Sequence, residues 1–229
     1  MKKLVIFDCD GVLVDSEIIA NRIDAEALTS IGYAITTEES IRRFTGMNAQ
    51  SVQQIILKES GIEISIDFMN STQSTVLEAF EKELAPLMED VLTVLDRVKI
   101  PRCVASSSSR KRVMYSLERT GLFKFFDEQS IFTSQQVTRG KPAPDLFLFA
   151  AHEMGVEPAN CIVIEDSSAG IQAALAAGMQ VIGFLGGTHA RYEWYQEKIA
   201  AFRIPVAYNT HELKRVLHGM LSDFNLLSI

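Results

Sequence analysis

Three cysteines stand in 229 residues, at the widely spaced positions Cys9, Cys103 and Cys161. An odd count without close pairing fits neither a disulfide framework nor a zinc knuckle. Cys103 and Cys161 fall inside apolar runs, so the reading is buried, reduced thiols. Basic charge is also short: 22 Lys and Arg face 29 Asp and Glu, a formal net charge of −7. That total gives no support to a nucleic-acid partner, which needs a basic face, or to an anionic membrane surface. No stretch reaches the ~18 consecutive apolar residues of a bilayer span. The start, Met1-Lys2-Lys3-Leu4-Val5-Ile6-Phe7-Asp8, holds an apolar run of four residues. A secretory signal needs ~7–15. The expectation is a cytoplasmic protein with no membrane partner. The histidines His152, His189, His211 and His218 show no metal-ligand spacing. They read as surface or peripheral, with a minor site role open only for His189, which follows Gly186-Gly187. Trp194 with Tyr192 and Tyr195 reads as helix packing rather than a binding box.

What is present is apolar residue in quantity, 47% of the chain, and a length sufficient to bury a core. Three short apolar runs end abruptly in polar residues: Leu4–Phe7 into Asp8, Cys103–Ala105 into Ser106, and Cys161–Ile164 into Glu165-Asp166. A fourth, Gln180–Phe184, ends in Gly186-Gly187. Near-continuous Val/Ile runs of this kind suit strands buried on both faces of a parallel sheet. Helical patterns separate them, over Ser109–Arg119, Ala143–Met154 and Ser167–Ala177, each followed by a glycine suited to end a helix. The alternation predicts βαβ units and a doubly wound α/β fold with a parallel sheet. From Ser16 to Pro86 the pattern is helical throughout, with Ile18, Ile19, Ile23, Ala27 and Leu28 on one expected face and Ile41, Phe44, Val52, Ile55 and Ile56 continuing it. The expected division is a core of residues 1–15 and 87–229 with a helical insertion at 16–86.

Ligands of open α/β sheets bind beyond the carboxyl ends of the strands. Asp8, Asp10, Ser106, Glu165 and Asp166 close three predicted strands, so they are expected to share one site. Lys141, in the loop Gly140-Lys141-Pro142 before a helix, is placed to join them. Crowded carboxylates repel one another and demand a cation, and oxygen ligands without His or Cys favour Mg²⁺ over Zn²⁺. A carboxylate nucleophile facing a phosphate dianion needs the same cancellation, from Mg²⁺ and Lys141 together. Asp8 is then the candidate nucleophile. Asp10 is the candidate acid and base, protonating the leaving oxygen and later activating water. The Ser106 hydroxyl and the Ser107 backbone N–H are candidate phosphate contacts. Taken singly, each element has a plainer reading: a polar turn for Asp8 and Asp10, a helix cap for the serines, a solvated loop lysine for Lys141, and a helix N-terminus for Glu165-Asp166-Ser167. The joint pattern favours catalysis.

Asp8-Cys9-Asp10-Gly11-Val12-Leu13-Val14-Asp15-Ser16 resembles the first motif of the haloacid dehalogenase-like hydrolase superfamily. Val104-Ala105-Ser106-Ser107-Ser108 resembles its second, Gly140-Lys141-Pro142-Ala143-Pro144-Asp145 its third, and Glu165-Asp166-Ser167-Ser168-Ala169-Gly170 its fourth. Order and spacing agree over nearly the whole chain. The resemblance, to the phosphatase and β-phosphoglucomutase-like branch, implies a Rossmann-like core with an inserted α-helical cap that selects the substrate. It implies Asp8 as nucleophile and metal ligand, and Asp10 as acid/base whose backbone carbonyl also meets the metal. Ser106 and Lys141 are implied as phosphate binders, Asp166 as the main acidic-loop ligand, and Glu165 as a further ligand or a support for one. In the helical insertion, Arg43 and Asn48 are candidate substrate contacts, against the competing reading of a solvated helix face.

The function expected is an Mg²⁺-dependent phosphatase acting on a small phosphorylated metabolite, a sugar or sugar-acid phosphate, through an aspartyl-phosphate. The protein is expected as a monomer or homodimer. The alternative is a β-phosphoglucomutase. Mutase relatives carry an arginine just after the cap glycine, whereas Gly46 here is followed by Met47, Asn48, Ala49 and Gln50. A dehalogenase needs neither Asp10 nor Glu165-Asp166. A phosphonatase would need a cap lysine, for which Lys58 and Lys82 have no supporting context. A catalytically silent domain would have lost Asp8, Asp10 or Lys141.

Overall fold

A computed structural model describes residues 3–47 and 49–221. Its core is a six-stranded sheet in which every pairing is parallel. The strands are β1 Leu4–Phe7, β2 Arg102–Ser106, β3 Ile131–Thr133, β4 Cys161–Glu165, β5 Gln180–Phe184 and β6 Val206–Ala207. Their spatial order is β3-β2-β1-β4-β5-β6. The chain winds outward from β1 to β3, returns to the middle, and winds outward again from β4. The order therefore reverses between β1 and β4, and a crevice opens beyond their carboxyl ends.

Ten α-helices, with five short 3-10 turns, complete the described residues: α1 Glu17–Ser30, α2 Thr37–Phe44, α3 Ala49–Ser60, α4 Ile66–Glu83, α5 Glu89–Arg97, α6 Arg110–Arg119, α7 Asp145–Glu153, α8 Ser168–Ala176, α9 Glu193–Ala200 and α10 Thr210–Met220. Strand residues alternate between two apolar layers, as the two-residue period of a strand requires. Val5 and Phe7 of β1 join Val104, Ile162 and Ile164 under Leu92, Val113, Leu117 and Leu213, which α5, α6 and α10 supply. Leu4 and Ile6 join Cys103, Ala105 and Val163 under Leu146, Phe147, Ile171 and Ile199 of α7, α8 and α9. Each such aliphatic side chain contributes roughly 1.5–3 kcal/mol on full burial. That burial fixes the strands and with them the residues at their ends.

The helix pattern predicted at Ser109–Arg119 forms as α6, with Ser109 as a cap that accepts a hydrogen bond from the Arg112 N–H. The pattern predicted at Ser167–Ala177 forms as α8, with Ser167 capping it through the Gly170 N–H. Three cysteines lie buried and unpaired. Among the described residues, no helix is long and apolar enough to cross a membrane.

Helices α1 to α4 lie between β1 and α5, away from the sheet. The chain enters and leaves them side by side: the Asp15 N–H donates to the Ala85 carbonyl at 2.9 Å, and the Leu87 N–H to the Leu13 carbonyl at 2.8 Å. Two small apolar clusters hold the helices together. Leu28, Tyr33, Phe44 and Ile56 form one, and Ile19, Ile23, Val76 and Phe80 the other. The single apolar face expected for α1 is not what forms. Its buried residues, Ile19, Ala20, Asn21, Ile23, Ala25 and Leu28, surround much of the helix, while Ile18 and Ala27 are only half-buried. The cause is that α1 lies against both α2 and α4, so two sides are covered.

Candidate active site

Beyond the ends of β1, β2 and β4 a cavity of about 400 Å³ opens. Its lining includes Asp8, Asp10, Ser106, Ser107, Lys141, Glu165 and Asp166. Seven residues that close strands or loops far apart in sequence are thus brought to one place. The cavity extends outward between residues of α1, α3 and α4.

Lys141 organises the inner end. Its Nζ donates to Asp8 Oδ1 at 2.6 Å, to Glu165 Oε1 at 2.7 Å and to the Ala105 carbonyl at 2.9 Å. The side chain is only 2% exposed. Burial disfavours the ammonium, but Asp8 and Glu165 outweigh it and hold the pKa of Lys141 above its ordinary value. Glu165 is doubly anchored. Its second oxygen accepts from the Ser167 N–H at 2.8 Å and from the Ser167 hydroxyl at 2.9 Å. Gly170 makes this fit, since a Cβ there would lie 1.7 Å from Glu165 Oε1.

Burial pushes the carboxyl of Asp8 well above the ordinary range, and Lys141 offsets this only in part because Glu165, Asp166 and Asp10 push in the same direction as burial. Asp166 is raised likewise, first by burial and then by Glu165. One lysine does not balance this set. Asp8, Glu165 and Asp166 present carboxylate oxygens within 4.8 Å of one another. Asp166 Oδ2 is buried and makes no hydrogen bond among the described residues. An orphaned buried oxygen beside two further carboxylates, with no thiol or imidazole donor in the set, fits a small hard divalent cation such as Mg²⁺.

Asp10 sits in a different environment. Oδ1 accepts from the Ser16 hydroxyl at 2.6 Å and from Arg112 at 2.9 Å, and Oδ2 from the Ser108 hydroxyl at 2.6 Å. Burial would raise this carboxyl, but the Arg112 charge and the serine hydrogen bonds outweigh it and hold it below the usual range. Two aspartates two residues apart therefore lean in opposite directions, a pattern associated with divided acid–base roles. Gly11, at φ +77°, turns the chain directly after Asp10, and a Cβ there would lie 2.1 Å from Asp166 Oδ2.

The serine run divides its duties. Ser106 accepts from the Ser108 N–H at 3.0 Å, Ser108 reaches Asp10, and Ser109 caps α6. The helix-cap reading of the run holds for Ser109 alone.

Two placements, those of Arg43 and His189, depart from the sequence reading. Arg43 is not brought to the cavity: its guanidinium pairs with Glu59 at 2.7 Å and lies over Phe44 and Tyr33. Asn48 lies outside the described residues. His189, read as peripheral with a minor site role open, is wholly buried with Nε2 2.8 Å from Asp166 Oδ2. The approach is close without being a directed hydrogen bond, since both atoms lack a hydrogen-bond partner. Burial keeps the pKa of His189 below its ordinary value. Arg112 was not foreseen. It stands one helical turn past the serine run, directly after two other basic residues, Arg110 and Lys111, and only the phase of α6 tells which of the three faces Asp10.

A family model described as haloacid dehalogenase-like hydrolase matches residues 5–184. The 6-phosphogluconate phosphatase of Escherichia coli K12 is 31% identical over 186 residues, covering 81% of this chain and 83% of that protein. The fructose-1-phosphate phosphatase of the same organism is 31% identical, covering 78% of this chain and 94% of the other. Among solved structures, a conserved haloacid dehalogenase-like protein of unknown function from Agrobacterium tumefaciens C58 superposes with a TM-score of 0.81. It is 35% identical, over 96% of this chain and 99% of that one. With four strand-end and loop segments converging on one buried carboxylate–lysine centre, the chain belongs to the haloacid dehalogenase-like hydrolase family, among its phosphatases.

Proposed function

We propose that the chain is an Mg²⁺-dependent phosphoric monoester hydrolase that acts on a small phosphorylated metabolite, a sugar or sugar-acid phosphate, through a phosphoryl group carried on Asp8. Residues 16–86 act as a cap over the site formed by residues 1–15 and 87–229. The observation that carries this reading is the buried centre in which Lys141 bridges Asp8 and Glu165 while an Asp166 oxygen makes no hydrogen bond among the described residues.

Asp8, Asp166, Glu165 and the Asp10 backbone carbonyl would hold Mg²⁺, whose charge offsets that of the carboxylates and the incoming phosphate. The Ser106 hydroxyl, the Ser107 N–H and the Lys141 ammonium bind the phosphate oxygens. An Asp8 oxygen attacks phosphorus as the bond to the leaving oxygen breaks, and Asp10 delivers the proton that oxygen needs. In the second step Asp10 takes a proton from water, which attacks phosphorus and releases phosphate from Asp8. Three donors hold Asp10 as the carboxylate that this second step requires. The proton that Asp10 takes from water in this step is the one it delivers to the leaving oxygen in the next turnover.

A mutase holds a second phosphate, and the cavity offers little to bind one. Among its described lining residues the cations are Lys141 and Arg112, and both are already paired with carboxylates. Met47, not a basic residue, follows Gly46.

The test is phosphate release from p-nitrophenyl phosphate and a panel of sugar phosphates, with and without Mg²⁺. Metal-dependent release that disappears in Asp8→Asn, with an unchanged circular dichroism spectrum, is the expected result. Normal turnover by Asp8→Asn would remove Asp8 as nucleophile.

A further inference from the structure

The half of the cavity that would receive the leaving group is lined from α1 by Glu17, Asn21 and Asp24, and from α6 by Arg112. Three carboxylates, Asp10, Glu17 and Asp24, act on that one guanidinium. Arg112 is held at Asp10 and lies 5.2 Å over the Phe80 ring, so its orientation is set before any substrate arrives. The neighbourhood is net negative even with Arg112 counted.

The acids differ in how far their own structure satisfies them. One Glu17 oxygen accepts from the Asn21 amide at 2.9 Å, and the other Asn21 amide atom is taken by the Ser40 hydroxyl at 2.8 Å. Asp24 accepts no hydrogen bond from any described residue, although it lies partly buried against the cavity. Gln53, Thr72 and Gln73 add neutral polar atoms at the far wall. Burial raises Glu17 to about 7 and Asp24 to about 6, so both already lie where negative charge is poorly solvated. A carboxylate on the substrate would bring a further unpaired charge to this wall. A hydroxyl would bring the donor that Asp24 lacks.

We infer that the substrate of this site is a neutral polyhydroxylated phosphomonoester, an alditol or sugar monophosphate rather than a sugar-acid phosphate, with Asp24 and Glu17 as the residues that set the preference. The inference rests on the proposed phosphatase reading and narrows it. It also separates the chain from what its 6-phosphogluconate phosphatase relative is named for.

Glucitol 6-phosphate and 6-phosphogluconate form a matched pair that differs at one carbon, a CH₂OH against a COO⁻. With Mg²⁺ present, kcat/KM for glucitol 6-phosphate is expected to exceed that for 6-phosphogluconate by at least about tenfold. Asp24→Asn is expected to shrink that ratio severalfold, chiefly through a lower KM for the acid. Equal or better turnover of the acid by wild type would overturn the inference, as would an unchanged ratio in a folded Asp24→Asn. The Kd values of the two compounds for Mg²⁺-loaded Asp8→Asn, by calorimetry, read the same preference without chemistry. A Kd no weaker for the acid overturns the inference even if the wild type turns over nothing. Absence of phosphate release from every compound, with the Kd preference intact, counts instead against the phosphatase reading alone.

Discussion

Single atoms decide the inner site. Gly11 lies at φ +77°, a region costly for side chains with a Cβ, and a methyl group there would stand 2.1 Å from Asp166 Oδ2 and 2.7 Å from His189 Cε1. Gly11→Ala is therefore expected to fold with a loss of about 1–3 kcal/mol, read by urea denaturation. Its kcat/KM for p-nitrophenyl phosphate should fall by roughly 100-fold or more, because a displaced Asp166 no longer faces Asp8. Wild-type kcat/KM in this variant would mean that Asp166 need not stand where it does. At this scale the sequence was informative wherever a polar residue terminates an apolar run. Asp8, Ser106 and Glu165 each close a strand, and strand register then carries them to one edge. Lys141 closes no strand, and it was legible only through its Gly-Lys-Pro context. Arg112 was opaque because its partner, Asp10, lies 102 positions earlier, and nothing local distinguishes it from its neighbours. Arg110 turns instead to the Ile131 carbonyl at 2.8 Å and to Glu128.

At the scale of elements, α6 joins the two halves of the molecule. Its N-terminal turn is capped by Ser109 and sends Arg112 to Asp10 and Phe80, while Tyr115 and Arg119 further along contact Glu81 of α4. One helix thus touches Asp10 and the α1 to α4 side of the molecule together. Arg112→Gln is expected to lower kcat for p-nitrophenyl phosphate by about 10- to 100-fold, with Mg²⁺ dependence retained, since Asp10 loses the charge that keeps it ionised and in place. A rise in KM with kcat unchanged would make Arg112 a substrate contact only. The same geometry explains why Arg43 misled. Helix α2 is amphipathic, and its phase turns Arg42 over Trp194 at 4.6 Å and Arg43 toward Glu59. A pair of arginines before a glycine looks the same in sequence whether it faces a cavity or a neighbouring helix. Strands β3 and β6 escaped notice for a simpler reason. At three and two residues they are too short to show a period, and only pairing with a neighbouring strand defines them.

For the molecule as a whole, the acidic wall of the cavity has a cost in stability that pH reveals. Glu17 is raised from 4.5 to about 7 and Asp24 from 3.8 to about 6, in both cases first by burial. In each window the folded chain holds a proton that the unfolded chain has released. The folded state then binds more protons, so stability contributed by these groups is present at low pH and lost as pH rises through about 6 to 7. Asp10, held low, works only below the ordinary carboxylate range and leaves this window untouched. His189, held below 6.5 by burial, acts in the opposite sense, so the raw slope mixes several groups. The difference between wild type and a Glu17→Gln/Asp24→Asn double variant isolates the pair. That variant should gain on the order of 1–3 kcal/mol over wild type at pH about 8, and little at pH about 4, measured by denaturant unfolding at each pH. Parallel stability curves would show that neither carboxyl is displaced from its ordinary range. A widening gap, accompanied by loss of alditol preference in the same double variant, would tie that stability cost to the two side chains proposed to set the preference.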